Sequence, residues 1–181
     1  YAELIIFFLD TLKIKSPYIL AHSFGGRIAI LLSSKYALAI ERLILIDSAG
    51  IKPKKTIFSF CRQKIYKILQ KLTKILPKCW QKKARNKLFK SFASSDYYNL
   101  KEEQRQTFKN IINLDLTPFL PYIQTETLLF WGAKDIDTPL KDGIKMKKLI
   151  PDSELIIFPS SSHFSYLENP YTMVRIIINF F

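Results

Sequence analysis

Apolar residues recur along this chain with more than one spacing, and the changes between spacings divide it. Leu4, Ile5, Phe8, Leu9 and Leu12 repeat every three or four positions with Glu3, Asp10 and Lys13 between them, the pattern of an amphipathic helix. A short run, Tyr18-Ile19-Leu20, has strand character, and the stretch from Phe24 to about Tyr36 suits a helix packed on a sheet. Arg42-Leu43-Ile44-Leu45-Ile46-Asp47 is a continuous apolar run of strand length bounded by polar residues. Such runs belong to parallel strands covered by helices on both faces. Strand, helix and strand in that order predict a βαβ unit and a mainly parallel sheet.

From Lys52 the spacing becomes helical. Phe58, Cys61, Ile65, Ile68, Leu69, Leu72, Ile75 and Leu76 form one face, while Lys64, Lys67, Lys71, Lys74 and Lys78 take the other until Pro77 interferes. Helices are also predicted over about Trp80–Phe92 and Lys101–Asn113. The strand pattern returns at Thr125–Trp131 and Glu154–Phe158, each followed by a polar loop and a helix, about Pro139–Ile150 and Tyr171–Phe181. The expected fold class is α/β, with residues 1–51 and 114–181 forming the sheet-bearing core and residues 52–113 an inserted helical block. There is no internal repeat and no low-complexity linker.

Composition sharpens that division. A chain of 181 residues that is 48% hydrophobic can bury a real core. The formal charge of +13 is concentrated: residues 52–90 carry 14 Lys and Arg and no Asp or Glu, leaving 14 basic against 15 acidic residues elsewhere. Basic amphipathic helices can lie on anionic membranes or bind nucleic acid. No nucleic-acid recognition motif accompanies this block, so nucleic acid is not an expected partner. An anionic membrane surface or an acidic carrier is the alternative to the favoured reading, in which the Ile/Leu face packs on the core and the lysines face solvent. Cys61 and Cys79 lie eighteen positions apart with no C-x-x-C and no nearby histidine, which indicates neither a zinc site nor a disulfide framework. The apolar patch Leu4–Leu9 is far too short to span a bilayer and no signal peptide is visible, so a soluble, cytoplasmic protein is expected. The chain starts at Tyr1, inside a helical pattern, and upstream sequence is expected to be missing.

The candidate chemistry begins at Leu20-Ala21-His22-Ser23-Phe24-Gly25-Gly26, where strand turns sharply into helix. A serine on such a turn adopts a strained backbone and needs small neighbours two residues to either side, here Ala21 and Gly25. The turn lifts the Ser23 hydroxyl clear of the sheet and aims the Phe24 backbone N–H at any oxyanion formed beside it. Serine needs a base oriented by a carboxylate. The chain has two histidines: His22 adjoins Ser23 on a turn where adjacent side chains diverge, which makes it a packed or hydrogen-bonded structural residue. That leaves His163, in a polar loop after a strand. Asp135 follows the preceding strand through a Gly-containing turn and is the expected acid, with Asp137 as fallback and Asp47 a weaker one.

The small-x-Ser-x-Gly elbow, Trp131-Gly132-x-x-Asp135-x-x-x-Pro139 and Ser162-His163-Phe164-Ser165-Tyr166-Leu167-Glu168-Asn169-Pro170 together resemble the nucleophile, acid and histidine loops of the α/β-hydrolase family, in that family's chain order. Ala21 departs from the commoner glycine. The resemblance runs over essentially the whole chain and implies Ser23 as nucleophile, Asp135 as orienting acid, His163 as base, the Phe24 N–H as half of an oxyanion hole, and residues 52–113 as a helical cap. It further implies hydrolysis of a small-molecule ester, thioester, amide or activated C–C bond, without metal or organic cofactor. The family's other oxyanion donor comes from an early loop that would precede Tyr1. An inactive or truncated hydrolase-like protein, binding a membrane or acidic partner through its basic block, is the competing expectation.

Overall fold

The computed structural model describes residues 1–36, 38–52, 57–92 and 101–181. Backbone contacts divide the chain into two compact units, Tyr1–Lys52 with Asp115–Phe181, and Pro53–Leu114.

The first unit is built on a four-stranded parallel sheet in the order β1 (Tyr18–His22), β2 (Arg42–Ile46), β3 (Thr127–Gly132) and β4 (Ser153–Phe158). Register is fixed by two-sided burial, because each strand places alternate side chains on opposite faces. Leu43, Leu45, Leu129 and Trp131 join one core with Ala29, Ile30 and Leu32 of α2 (Phe24–Ser33) and Met146 of α6 (Leu140–Leu149), and Ala2 of α1 (Ala2–Thr11) belongs to it. Ile44, Ile46, Leu128 and Phe130 join the other, closed by Phe158 and by Met173 of α8 (Pro170–Phe180). All six residues of β3 are buried, as a central strand between two helical layers requires.

Three local departures from the sequence pattern have visible causes. Helix α2 stops at Ser33, short of Tyr36, where the hydroxyls of Ser33 and Ser34 turn back onto the carbonyls of Ala29 and Ile30 and compete with helical continuation. Strand β3 starts at Thr127, after a 3-10 turn over Thr117–Tyr122 that buries Leu120. A one-turn helix, α7 (Ser165–Glu168), interrupts the histidine loop.

The second unit contains α3 (Ile57–Leu72), a 3-10 turn at Thr73–Ile75, α4 (Lys78–Phe92) and α5 (Glu102–Asn113). Gln81 Nε2 donates to the carbonyls of Lys74 and Leu76 at 3.2 and 2.9 Å, closing the α3–α4 corner around Pro77. Tyr66 and Phe92 pack with ring centroids 5.3 Å apart. Between α3 and α4 lies an apolar groove of about 430 Å³ lined by Leu69, Leu72, Leu76, Ala84 and Leu88. The apolar stripe of α3 is left uncovered by its own unit: Ile65, Ile68 and Leu72 are 51%, 57% and 51% exposed, and Ile75 beyond it 80%. Lys54 and Lys55 of the basic block lie outside the described residues, as do the side chains of Phe58, Cys61, Arg62, Lys78 and Cys79.

Candidate active site

Each candidate residue sits just past the C-terminal end of a neighbouring parallel strand, where α/β sheets open their ligand crevice. Ser23 follows β1 and caps α2 with φ 50° and ψ −113°. A non-glycine residue there costs on the order of 1–3 kcal/mol and persists only where its surroundings over-determine it. They do: Ser23 N–H donates to the Ile46 carbonyl at 3.1 Å, and the Ser23 carbonyl accepts from Gly26 N–H and Ala49 N–H, both at 3.0 Å. The steric demand falls on a different glycine from the one the sequence suggests. A Cβ on Gly25 would make ordinary contact with Ala21 Cβ at 3.7 Å, whereas one on Gly26 would lie 1.9 Å from Ser48 Oγ. Phe24 opens α2, so its N–H belongs to the first helical turn, which has no intrahelical acceptor.

Asp135 and His163 meet beside that hydroxyl. His163 Nδ1 is 2.8 Å from Asp135 Oδ2 and His163 Nε2 is 2.9 Å from Ser23 Oγ. Asp135 Oδ1 accepts from the backbone N–H groups of Asp137 and Thr138 at 2.8 and 2.9 Å, and Oδ2 lies 2.6 Å from Thr138 Oγ1. Burial alone would raise the Asp135 carboxyl, but the hydrogen bonds from His163 and Thr138 outweigh it and hold the group below its ordinary value. His163 is shifted upwards: the bond to Asp135 dominates the opposing burial, and the charges of Asp135, Asp137 and Asp47 add to it. Asp137 thus reaches Asp135 through its backbone and His163 only through its charge. Asp135, Asp137 and His163 could each offer one metal-ligand atom within 4.8 Å of the others, but Asp135 and His163 already bond each other.

A family model described as alpha/beta hydrolase fold matches residues 1–71 and 55–170. The chain belongs to the alpha/beta hydrolase fold family. This alpha/beta hydrolase is 35% identical over 66 residues to a 2-hydroxy-6-oxo-6-phenylhexa-2,4-dienoate hydrolase of Delftia acidovorans, a match covering 36% of the chain and 23% of that enzyme. It is 28% identical over 181 residues to a pimeloyl-[acyl-carrier protein] methyl ester esterase of Wigglesworthia glossinidia brevipalpis, covering 90% of the chain and 69% of the relative. Among solved structures, a hydrolase from Pseudomonas aeruginosa PA01 superposes with a TM-score of 0.69 at 19% identity, covering 99% of the chain and 69% of that structure. The chain therefore spans less than a quarter of the Delftia enzyme and about two thirds of the other two. No helix among the described residues is long and apolar enough to cross a membrane.

Sequence reasoning overlooked much of what holds the candidate site together. His22 is indeed hydrogen-bonded and packed: its Nε2 lies 2.8 Å from the His163 carbonyl oxygen, and its ring stands 4.9 and 5.0 Å from those of His163 and Tyr166. Glu168, whose carboxylate takes the Ser162 N–H at 2.9 Å and the Ser162 hydroxyl at 2.5 Å, pins the histidine loop from its far side. Asp47 does not touch His163. It is fully buried at φ 43°, and its carboxylate accepts from Gly132 N–H at 2.8 Å and from Ser165 Oγ and N–H at 2.5 and 3.2 Å. The sequence signal for Asp47 is an acid ending an otherwise all-apolar central strand, which marks it as special without saying what it binds.

Proposed function

We propose that this chain carries the catalytic machinery of a serine hydrolase that cleaves a small-molecule acyl bond through a covalent intermediate on Ser23. The observation that supports it most is the continuous hydrogen-bond path from Asp135 Oδ2 through both His163 nitrogens to Ser23 Oγ, at 2.8 and 2.9 Å. In the reaction, Ser23 Oγ attacks the acyl carbon while His163 Nε2 takes its proton, and Asp135 stabilises the resulting imidazolium. The Phe24 N–H faces the oxyanion. Collapse of the tetrahedral adduct passes the proton to the leaving group, and water repeats the sequence to free the acid. A second oxyanion donor beside the Phe24 N–H would add on the order of a hundredfold in rate. The relatives' names, a 2-hydroxy-6-oxo-6-phenylhexa-2,4-dienoate hydrolase and a methyl ester esterase, are both consistent with acyl transfer to water. The helical unit, residues 53–114, is read as the cap that the family resemblance implies. Turnover of p-nitrophenyl esters of graded chain length tests this reading. Wild-type protein should release p-nitrophenol and Ser23→Ala should not; equal rates would remove Ser23 from the mechanism.

A second reading is favoured by one observation. The uncovered Ile65, Ile68, Leu72 and Ile75 lie within the stretch that carries 14 basic residues and no acid. An apolar stripe opposed by lysines is the composition of a helix that rests on an anionic bilayer surface. On this reading the helical unit docks on anionic lipid, whether or not Ser23 turns over.

A further inference from the structure

We propose that Asp47 is a positioning residue for the hydrolase site, whose carboxylate ties the turn carrying Asp135 to the loop carrying His163 and sets a second negative charge beside that pair. The inference rests on the serine-hydrolase reading, although its principal test needs no turnover.

The geometry is that of a clamp. Oδ1 holds the backbone of Gly132, three residues before Asp135, at 2.8 Å; Oδ2 holds Ser165, two residues after His163, through its N–H at 3.2 Å and its hydroxyl at 2.5 Å. One rigid group therefore sets the spacing of the two loops whose side chains must meet. The loops are also in backbone contact there, since a Cβ on Gly132 would lie 2.1 Å from the Ser162 carbonyl oxygen. Neither loop can shift towards the other, and Asp47 keeps them from parting. The backbone of Asp47 is itself over-determined: its N–H donates to the Phe130 carbonyl at 2.9 Å, and its carbonyl lies 2.9 Å from Thr138 Oγ1. A left-handed backbone at a fully buried aspartate is uncommon, and these bonds hold it there.

An asparagine in its place would keep one carbonyl acceptor and set an amide NH2 against the other donor, so it loses one side of the tie together with the charge. The charge needs a separate account, because a buried carboxylate without a cationic partner is costly. Each contact named for the Asp47 carboxylate comes from a donor, which suits the ionised form, although burial pushes its pKa upwards. The groups around His163 are Ser23 and His22 from β1 and its turn, Asp135 and Asp137 from the acid turn, and Asp47 at the end of β2; the three carboxylates all favour its protonated form. A second anion behind Asp135 thus deepens the well into which the Ser23 proton moves.

The test is an NMR titration of the two imidazoles in ¹³C-histidine-labelled protein, assigned with His22→Gln. It is paired with the rate at which a fluorophosphonate labels Ser23. In Asp47→Asn the His163 midpoint should fall by about half a pH unit or more. Its labelling rate, corrected for the fraction of neutral His163, should fall on the order of ten- to a hundredfold. A folded Asp47→Asn protein with either quantity at its wild-type value overturns the proposal: an unmoved midpoint means that the charge is idle, an unmoved rate that the tie is. If Asp47→Asn does not fold, Ser165→Ala decides, since it keeps the carboxylate and removes one strap. Several-fold slower labelling of a normally melting protein supports the clamp, and a wild-type rate ends it. Should the wild type itself not label, the hydrolase reading fails, and the His163 midpoint alone then judges Asp47.

Discussion

At the scale of single residues, the site is a set of opposed pKa shifts, and these give its pH behaviour a definite sign. His163 is raised by its bond to Asp135, so the neutral base required for attack on the acyl carbon is populated only above the ordinary imidazole range. The acid limb of kcat/KM should accordingly lie above about pH 6.5. Asp135→Asn should move that limb down and lower kcat on the order of 10³- to 10⁴-fold, as loss of the orienting anion does in triads. A limb at or below pH 6 in the wild type would contradict the pairing. Stability follows the same logic in two directions. The raised His163 pKa gives a contribution that is present below the unfolded value and lost as pH rises through the folded one. The lowered Asp135 pKa gives one that is present above its unfolded value and lost as pH falls through the folded one. The melting-temperature gap between wild type and Asp135→Asn should be widest between about pH 4 and pH 6.5 and shrink on either side. That the side chains of Ser23, Asp135 and His163 meet was legible in the sequence, which offers two histidines, one elbow, and an acid in the turn after β3. Asp47 could not be placed, because its partners Gly132 and Ser165 lie 85 and 118 positions away. Likewise, Gly26 owes its size to Ser48, across a loop that no periodicity reveals.

At the scale of elements, the strands and long helices were legible because burial on two faces demands continuous apolar runs and burial on one face demands helical spacing. Their ends were less so. α2 stops where two serine hydroxyls compete for helical carbonyls, and the 3-10 turn before β3 carries no periodic signal. For α3 the stripe itself was legible, and its own unit leaves Ile65, Ile68, Leu72 and Ile75 exposed. That makes the lysine face testable. Sedimentation with vesicles of phosphatidylcholine and phosphatidylserine should pull the protein down at low salt, with release at high salt and on combined Lys64/Lys67/Lys71/Lys74→Glu substitution. Binding to pure phosphatidylcholine that ignores salt would contradict the electrostatic account. No binding at low salt would leave the cap reading alone, and retention instead on an acidic protein would name a different partner.

At the scale of the whole molecule, a parallel sheet carries its chemistry along one edge, and β1, β2, β3 and β4 deliver Ser23, Asp47, Asp135 and His163 there in spatial order. The order of strands in the sheet equals their order in the sequence, so each crossover delivers the next functional loop beside the last. This is why four residues spread over 140 positions converge. Fold class was legible for that reason, since alternating strand and helix patterns leave few other topologies. Substrate was not, because the shape of a groove such as that between α3 and α4 depends on how helices pack, which spacing alone does not set. The central claim is that this convergence activates Ser23, and intact-mass spectrometry after exposure to a fluorophosphonate tests it most directly. The account predicts a single phosphonyl adduct mapping to Ser23, absent from Ser23→Ala and strongly slowed in His163→Ala; equal labelling of wild type and Ser23→Ala, or an adduct on another serine, would contradict it.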